Sequence, residues 1–459
     1  MALIKSISGI RGTIGGKPGE TLSPLDIVKF TAAYGSWVKE NNTSKKIVIG
    51  RDARISGAMV SSMVTTTLTS LGFDVVDLGL STTPTVELAV VWEKAAGGII
   101  ITASHNPREW NALKLLNHLG EFVSAKDGSI ILEKAKNEDF TFSAVDKLGT
   151  NTFNNSYLAK HIDTVANYPL VDVESIRKKN YKIVVDVINS TGAIAIPELL
   201  KAIGVEDVIV LNGEMNGKFA HNPEPLPENL SILSATVQKA KADFGIAVDP
   251  DVDRLCFVCE DGSMFGEEYT LVAVADYVLS KKKGNTVSNM SSTKALKDIT
   301  LKNGGQYFPS AVGEVNVVTK MKEVEAVIGG EGNGGIIVPD LHYGRDALIG
   351  IGLFLSSLSH HKNGMRSFRS RYPDYFISKN KIELQKGIDV AQIFDKIQKK
   401  YKNQPVNTED GLKIEFDNDW VHLRTSNTEP IIRIYAESNF ETTARNIAQR
   451  LMHDIKEFI

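Results

Sequence analysis

At 459 residues the chain has room for about three or four domains, each able to bury its own core. Its 52 Lys and Arg against 55 Asp and Glu give a net charge of −3, with 42% hydrophobic and 23% charged residues, which excludes a disordered or fibrous chain. Nucleic acid is set aside as a main partner, because phosphate-backbone binding brings a basic excess.

No apolar run reaches the roughly 18 residues of a membrane span, and the first residues lack the apolar stretch of a signal peptide. A cytoplasmic protein with no membrane partner is expected.

Along the chain, short β-rich apolar runs alternate with helical patterns, the signature of α/β layering. Strands are predicted over 46–50, 74–78 and 98–101. A helix is predicted over 57–71, where Met59, Met63, Val64, Thr67, Leu68 and Leu71 fall at helical spacing. The rhythm returns with a strand over 182–186, a turn at Asn189 to Gly192, a helix to 203, and strands over 207–211 and 244–248. A third round begins near Leu255, with a helix over 269–279 and strands near Thr286 and over 325–328. The last part differs: strand-like runs over 382–384, 412–416, 420–424 and 431–435 with helices over 390–401 and 442–458 describe an α+β tail, and the basic segment 360–369 falls near the hinge into it. The expected division is 1–150, 151–255, 256–367 and 368–459, three similar α/β units with mixed sheets and a smaller α+β domain.

Cys256 and Cys259 are spaced C-x-x-C, but no second pair completes a zinc site. In a strand, residues three apart face opposite sides, so ordinary strand cysteines are the better reading.

Four segments carry chemistry. Thr102-Ala-Ser-His-Asn-Pro107 follows a buried-looking strand, and α/β folds hold reactive groups in such loops. An exposed Ser104 hydroxyl is expected there. The loop lacks the G-x-S-x-G elbow, so His105 is not thereby its base, and a structural turn explains the segment as well as a nucleophile does. Asp249-Pro-Asp-Val-Asp-Arg254 places carboxylates at alternate positions, where they repel unless a cation or solvent screens them. A hard oxygen set suits Mg²⁺, and the metal reading is favoured over a solvated acidic turn. An EF-hand is rejected because Arg254 stands where that loop needs Gly. Gly329-Gly-Glu-Gly-Asn-Gly-Gly335 offers Glu331 and Asn333 for sugar hydroxyls, although by itself it reads as a flexible turn. Arg424-Thr-Ser-Asn-Thr-Glu-Pro430, with Arg433 beyond, is an oxyanion cradle or a plain hairpin turn.

In this order, and with Ile10-Arg11-Gly12 near the start, the four segments resemble the α-D-phosphohexomutase superfamily over essentially the whole chain. The resemblance implies four domains around a central cleft and an intramolecular phosphotransferase. It implies that Ser104 is the phosphorylated serine, that Asp249, Asp251 and Asp253 bind Mg²⁺ with the serine phosphate as a further ligand, and that Arg11, Lys114 and His105 attend the reaction. Glu331, Asn333 and Arg254 would contact the sugar phosphate, and Arg424, Ser426, Asn427, Thr428 and Arg433 would hold the phosphate that is not reacting. A hexose 1,6-bisphosphate is the implied intermediate and activator, a small sugar phosphate the partner, and the chain a monomer or homo-oligomer. Many members end the sugar loop Gly-Glu-x-Ser-Gly-His; here Asn333 and Gly335 replace the serine and the histidine, so that histidine's role does not carry over.

Ala103 and Thr428-Glu-Pro430 are most similar to phosphoglucosamine mutases, with phosphomannomutase/phosphoglucomutases of dual specificity as the alternative. A non-catalytic sugar-phosphate sensor and a metal-dependent serine phosphatase are the other classes weighed.

Overall fold

The computed structural model describes residues 3–6, 9–385, 388–425 and 431–458. Its first sheet sets Asn151–Phe153, Asp74–Leu80, Lys46–Arg51 and Gly97–Ile101 parallel in that spatial order. Trp110–Leu116, Gly9–Thr13 and Leu3–Ser6 extend it, each antiparallel to its neighbour. The second sheet has Asp207–Leu211, Lys182–Asp186 and Phe244–Val248 parallel, with Leu255–Cys259 antiparallel at the edge. The third has Tyr307–Ser310, Asn285–Asn289 and Ala326–Glu331 parallel, with Gly335–Ile337 antiparallel at the edge.

These three units share one plan. The first parallel strand is central, the second lies on one side, the third on the other, and the chain then turns back antiparallel beside the third. The repetition that residue identities hide is plain in the topology. In every unit the turn from third strand to antiparallel strand holds a segment singled out above: the serine loop, the aspartate loop and the glycine loop. The parallel strands carry continuous apolar runs, Ile47-Val-Ile49 and Ile183-Val-Val185, because both of their faces are covered.

The fourth sheet is antiparallel, in the order Phe376–Glu383, Ile431–Ser438, Trp420–Thr425, Leu412–Glu415, Val406–Asn407. It packs its own core against the helices Val390–Lys400 and Glu441–Lys456. The fold is thus three mixed-sheet α/β units and an α+β C-terminal domain. One apolar core runs through the second and third units, from Ile162 to Tyr372. In it Phe257 stacks on Phe354, and Phe368 anchors the basic segment ahead of the fourth sheet. Leu255, Phe257 and Cys259 face this core while Cys256 and Val258 face another, so the cysteines do point to opposite sides. Among the described residues no helix is long and apolar enough to cross a membrane.

A buried polar chain ties the units behind the loops. His161 joins Thr85 Oγ1 (2.9 Å) to Asp346 Oδ2 (2.9 Å), and His342 lies 3.2 Å from both Asp346 Oδ2 and Glu87 Oε2. Burial alone would lower the His342 pKa, but the Asp346 and Glu87 carboxylates outweigh it and raise the value to about 10. Burial pushes the Glu87 carboxyl well above its usual range, partly opposed by His342. Each group binds its proton more tightly folded than unfolded, so its contribution is complete below its unfolded value and is lost as pH rises through the folded one. The melting temperature is therefore expected to fall between pH 7 and pH 10, and to fall less in His342→Gln. Equal slopes in the two proteins would remove His342 as the cause.

Candidate active site

The serine loop is held by groups buried beneath it. Ser104 N donates to Thr102 Oγ1 (2.9 Å), whose hydroxyl donates to Asp52 Oδ2 (2.7 Å). Arg54, 1% exposed, donates to the carbonyls of Ser104, Asn106, Pro107 and Trp110 at 2.5–3.0 Å and pairs with Asp52. These bonds hold Ser104 in the left-handed region, φ 50, which a non-glycine residue adopts only when its surroundings impose it. The hydroxyl is not exposed as expected: Ser104 is 6% exposed, because the loop folds under the second unit and Oγ donates to Asp249 Oδ2 at 2.8 Å.

The aspartate loop is the turn between Phe244–Val248 and Leu255–Cys259, gripped by all three units. Ser190 and Thr191 hydroxyls donate to the Pro250 carbonyl, Thr83 N to that of Asp251 and Ala347 N to that of Val252. Val252 sits at φ 62, a costly conformation for a β-branched residue.

Asp249, Asp251 and Asp253 are fully buried, and one ligand oxygen of each lies within 4.8 Å of the others. Asp249 Oδ1 accepts from the backbone N–H of Asp253 and Arg254. Asp251 Oδ2 accepts from Thr83 Oγ1 (2.5 Å) and Lys114 Nζ (2.7 Å), and Asp253 Oδ2 from Arg345 (2.7 Å) and Lys114 (3.3 Å). The second oxygens of Asp251 and Asp253 are buried with no hydrogen-bond partner. An orphaned buried carboxylate oxygen is costly unless a cation takes it, so the oxygens available fit Mg²⁺.

Burial, then the neighbouring carboxylates, push Asp249 far above the usual carboxylate range. Asp253 is held far below it, since Arg345, Lys114 and Arg254 outweigh its burial. Lys114 is likewise buried, but Asp251 and Asp253 keep it protonated. It is therefore a buried cation that donates hydrogen bonds to two of the three aspartates.

The remaining expected residues are distributed as follows. Arg11 lies opposite Ala112 on paired strands, two residues from Lys114 on the same face, with Nη1 3.5 Å from Asn106 Oδ1. His105 Nδ1 is 3.4 Å from Ser104 Oγ, and burial followed by Arg254 keeps the imidazole neutral. Arg254 pairs with Glu224 (2.8 Å), with its Nη2 3.5 Å from His105 Nε2. The glycine loop is a tight hairpin in which Glu331 opposes Gly335. Gly334, φ +83, presses on the Leu255 carbonyl, 2.0 Å from where a Cβ would stand, so the glycine loop packs on the residue that follows the aspartate loop. Asn333 Oδ1 accepts from Gly335 N (3.2 Å), and Glu331 from Asn289, Gly313 N and Arg345.

Four domain models match the chain. Phosphoglucomutase/phosphomannomutase alpha/beta/alpha domains I, II and III match residues 3–142, 159–262 and 266–375, and the C-terminal domain matches 381–453. The chain belongs to the phosphoglucomutase/phosphomannomutase family. It is thus a phosphohexomutase of the α-D-phosphohexomutase superfamily.

It is 35% identical over 442 residues, 95% of each chain, to a phosphoglucomutase/phosphomannomutase of Thermococcus kodakarensis. It is 31% identical over 474 residues, 100% of this chain and 99% of the relative, to a phosphoglucosamine/phosphogalactosamine mutase of Sulfurisphaera tokodaii. The fold superposes on a family member from Burkholderia thailandensis with a TM-score of 0.86 at 24% identity, covering 99% of this chain and 97% of that one.

In this phosphohexomutase Arg424 and Arg433 stand opposite each other on paired strands, and Arg424 pairs with Asp410 at 3.3 Å. Ser426, Asn427 and Thr428 lie outside the described residues. Sequence reasoning missed Arg54, Thr83 and Arg345. Arg54 had a signal, the charged Arg51-Asp-Ala-Arg54 straight after a buried strand. Thr83 and Arg345 had none, since their partners are 168 and 92 residues away in the chain.

Proposed function

We propose that this phosphohexomutase interconverts glucosamine 6-phosphate and glucosamine 1-phosphate through phospho-Ser104 and a 1,6-bisphosphate. The observation that carries the serine assignment is the 2.8 Å bond from Ser104 Oγ to Asp249 within the aspartate cluster. Mg²⁺ held by Asp249, Asp251 and Asp253 would neutralise charge on the transferring oxygens.

The P–O bond to Ser104 Oγ breaks as one forms to the free C1 or C6 hydroxyl oxygen of the sugar phosphate. The sugar hydroxyl gives up a proton, and Oγ is released protonated. Neutral His105, beside Oγ, would take up the proton from the sugar hydroxyl and pass it to Oγ, and protonated Lys114 would stabilise the departing charge. The bisphosphate turns end for end and its other phosphoryl group returns to Ser104. Arg424, Ser426, Asn427, Thr428 and Arg433 hold the phosphate that is not reacting, while Glu331 and Asn333 face the sugar. A trace of hexose 1,6-bisphosphate charges the serine.

The amino-sugar preference draws support from the Sulfurisphaera relative, aligned along the whole chain. The 35% identical Thermococcus relative favours the second reading, a phosphoglucomutase/phosphomannomutase. Phosphorus NMR with Mg²⁺ and bisphosphate, offering glucosamine 6-phosphate, glucose 1-phosphate and mannose 1-phosphate separately, tests the choice. We expect kcat/KM at least about tenfold higher for the amino sugar, a difference of ~1.4 kcal/mol. Equal or faster turnover of glucose or mannose phosphate establishes the second reading. Net release of inorganic phosphate would make the protein a phosphatase.

A further inference from the structure

Arg345 is absent from every motif above, yet it pairs with three carboxylates of the site. It is 8% exposed, and its guanidinium serves three carboxylates from three segments: Nη2 to Asp253 Oδ2 (2.7 Å), Nε to Glu314 Oε2 (2.8 Å) and Nη1 to Glu331 Oε2 (3.0 Å). Its own N–H bonds the other Glu314 oxygen at 3.2 Å. Asp253 belongs to the aspartate loop and Glu331 to the sugar loop. One planar fork thus spans both, a geometry that a lysine ammonium cannot reproduce.

The stem of Arg345 is engaged as well. A Cβ on Gly335 would lie 2.3 Å from Arg345 Cδ and 3.0 Å from Cγ. The sugar-loop backbone therefore rests on the arginine stem, and the absence of a side chain at 335 leaves room for it. The base is rigid: the next residue, Asp346, caps the fully buried helix Ala347–Ser359 and accepts from His161.

We propose that Arg345 is a positioning residue that sets the aspartate loop and the sugar loop in one register, so that the metal and the sugar are presented to Ser104 together. It acts through Asp253 and Glu331. Gly335 is part of the same device, because any side chain there displaces the arginine. The inference rests on the metal reading of the aspartate cluster and is independent of which sugar is preferred.

The test uses the full-length protein and two variants, Arg345→Lys, which keeps the charge and loses the fork, and Gly335→Ala, which touches no metal carboxylate. Gly335 does not occupy the left-handed region, so alanine there adds a steric clash without backbone strain. Mg²⁺ binding is measured by calorimetry, sugar-phosphate kinetics separately, and folding by circular dichroism. Both variants are expected to raise the Mg²⁺ dissociation constant at least fivefold and to lower kcat/KM about 10- to 100-fold. In the Arg345→Lys background, Glu331→Gln should cost less than it does in the wild type, because the two act as one unit. A Mg²⁺ constant within twofold of wild type in either variant overturns the proposal. Absence of Mg²⁺ binding by the wild type would instead sink the metal reading itself. If Arg345→Lys fails to fold, Gly335→Ala alone decides by the same criterion.

Discussion

Ser104→Ala is expected to reduce mutase turnover by about 10⁴-fold or more, the scale on which enzymes lose activity when a nucleophile is deleted. Stability should change far less. The Ser104 hydroxyl gives one hydrogen bond to Asp249, which keeps its two backbone donors, so the loss is about 1–3 kcal/mol. The left-handed backbone is no harder for alanine than for serine, and the Arg54 clamp on the loop carbonyls is untouched. The unfolding midpoint should move by only a few degrees. Intact mass supplies a second readout: after incubation with hexose 1,6-bisphosphate the wild type gains a phosphoryl group and the variant does not. Turnover within tenfold of wild type, or phosphorylation of the variant, would remove Ser104 from the mechanism.

Asp251→Asn should weaken Mg²⁺ binding by about 100-fold or more and reduce turnover to a similar extent. The reason lies in how the carboxylate is divided. One oxygen accepts from Thr83 and Lys114, and the other is buried and has no hydrogen-bond partner. An amide must give its oxygen to those two donors, which turns its NH₂ toward the remaining carboxylates and any ion they hold. Lys114 would also lose one of the two charges that keep it protonated against burial. Calorimetric titration separates the metal effect from the kinetic one. Mg²⁺ affinity and metal dependence equal to wild type would refute the site.

Much of the fold was legible because its strands are apolar runs of simple period. Residues 182–186, 207–211 and 244–248 form strands with the bounds expected of them. The helix Ala347–Ser359 was not legible: all of its residues are buried, so it lacks the polar face that reveals a helical period. The helix Pro24–Asn41 did carry a signal, the Ser23 cap with Asp26 returning the bond, in a segment where no element was predicted.

The local chemistry was legible in the chain alone: a serine and an aspartate triplet directly after buried strands and a glycine-rich turn at the end of a third, in an order matching one superfamily. Tertiary structure decided the rest. It buried Ser104, oriented Asp249 toward it, left one oxygen of Asp251 and one of Asp253 orphaned, and brought Thr83, Lys114 and Arg345 onto the triplet. The physical reason is that motif spacing encodes only what neighbouring residues do to one another. Ion pairing at 2.7 Å depends instead on which buried strand turns are packed together, and here three copies of one topology place those turns against each other.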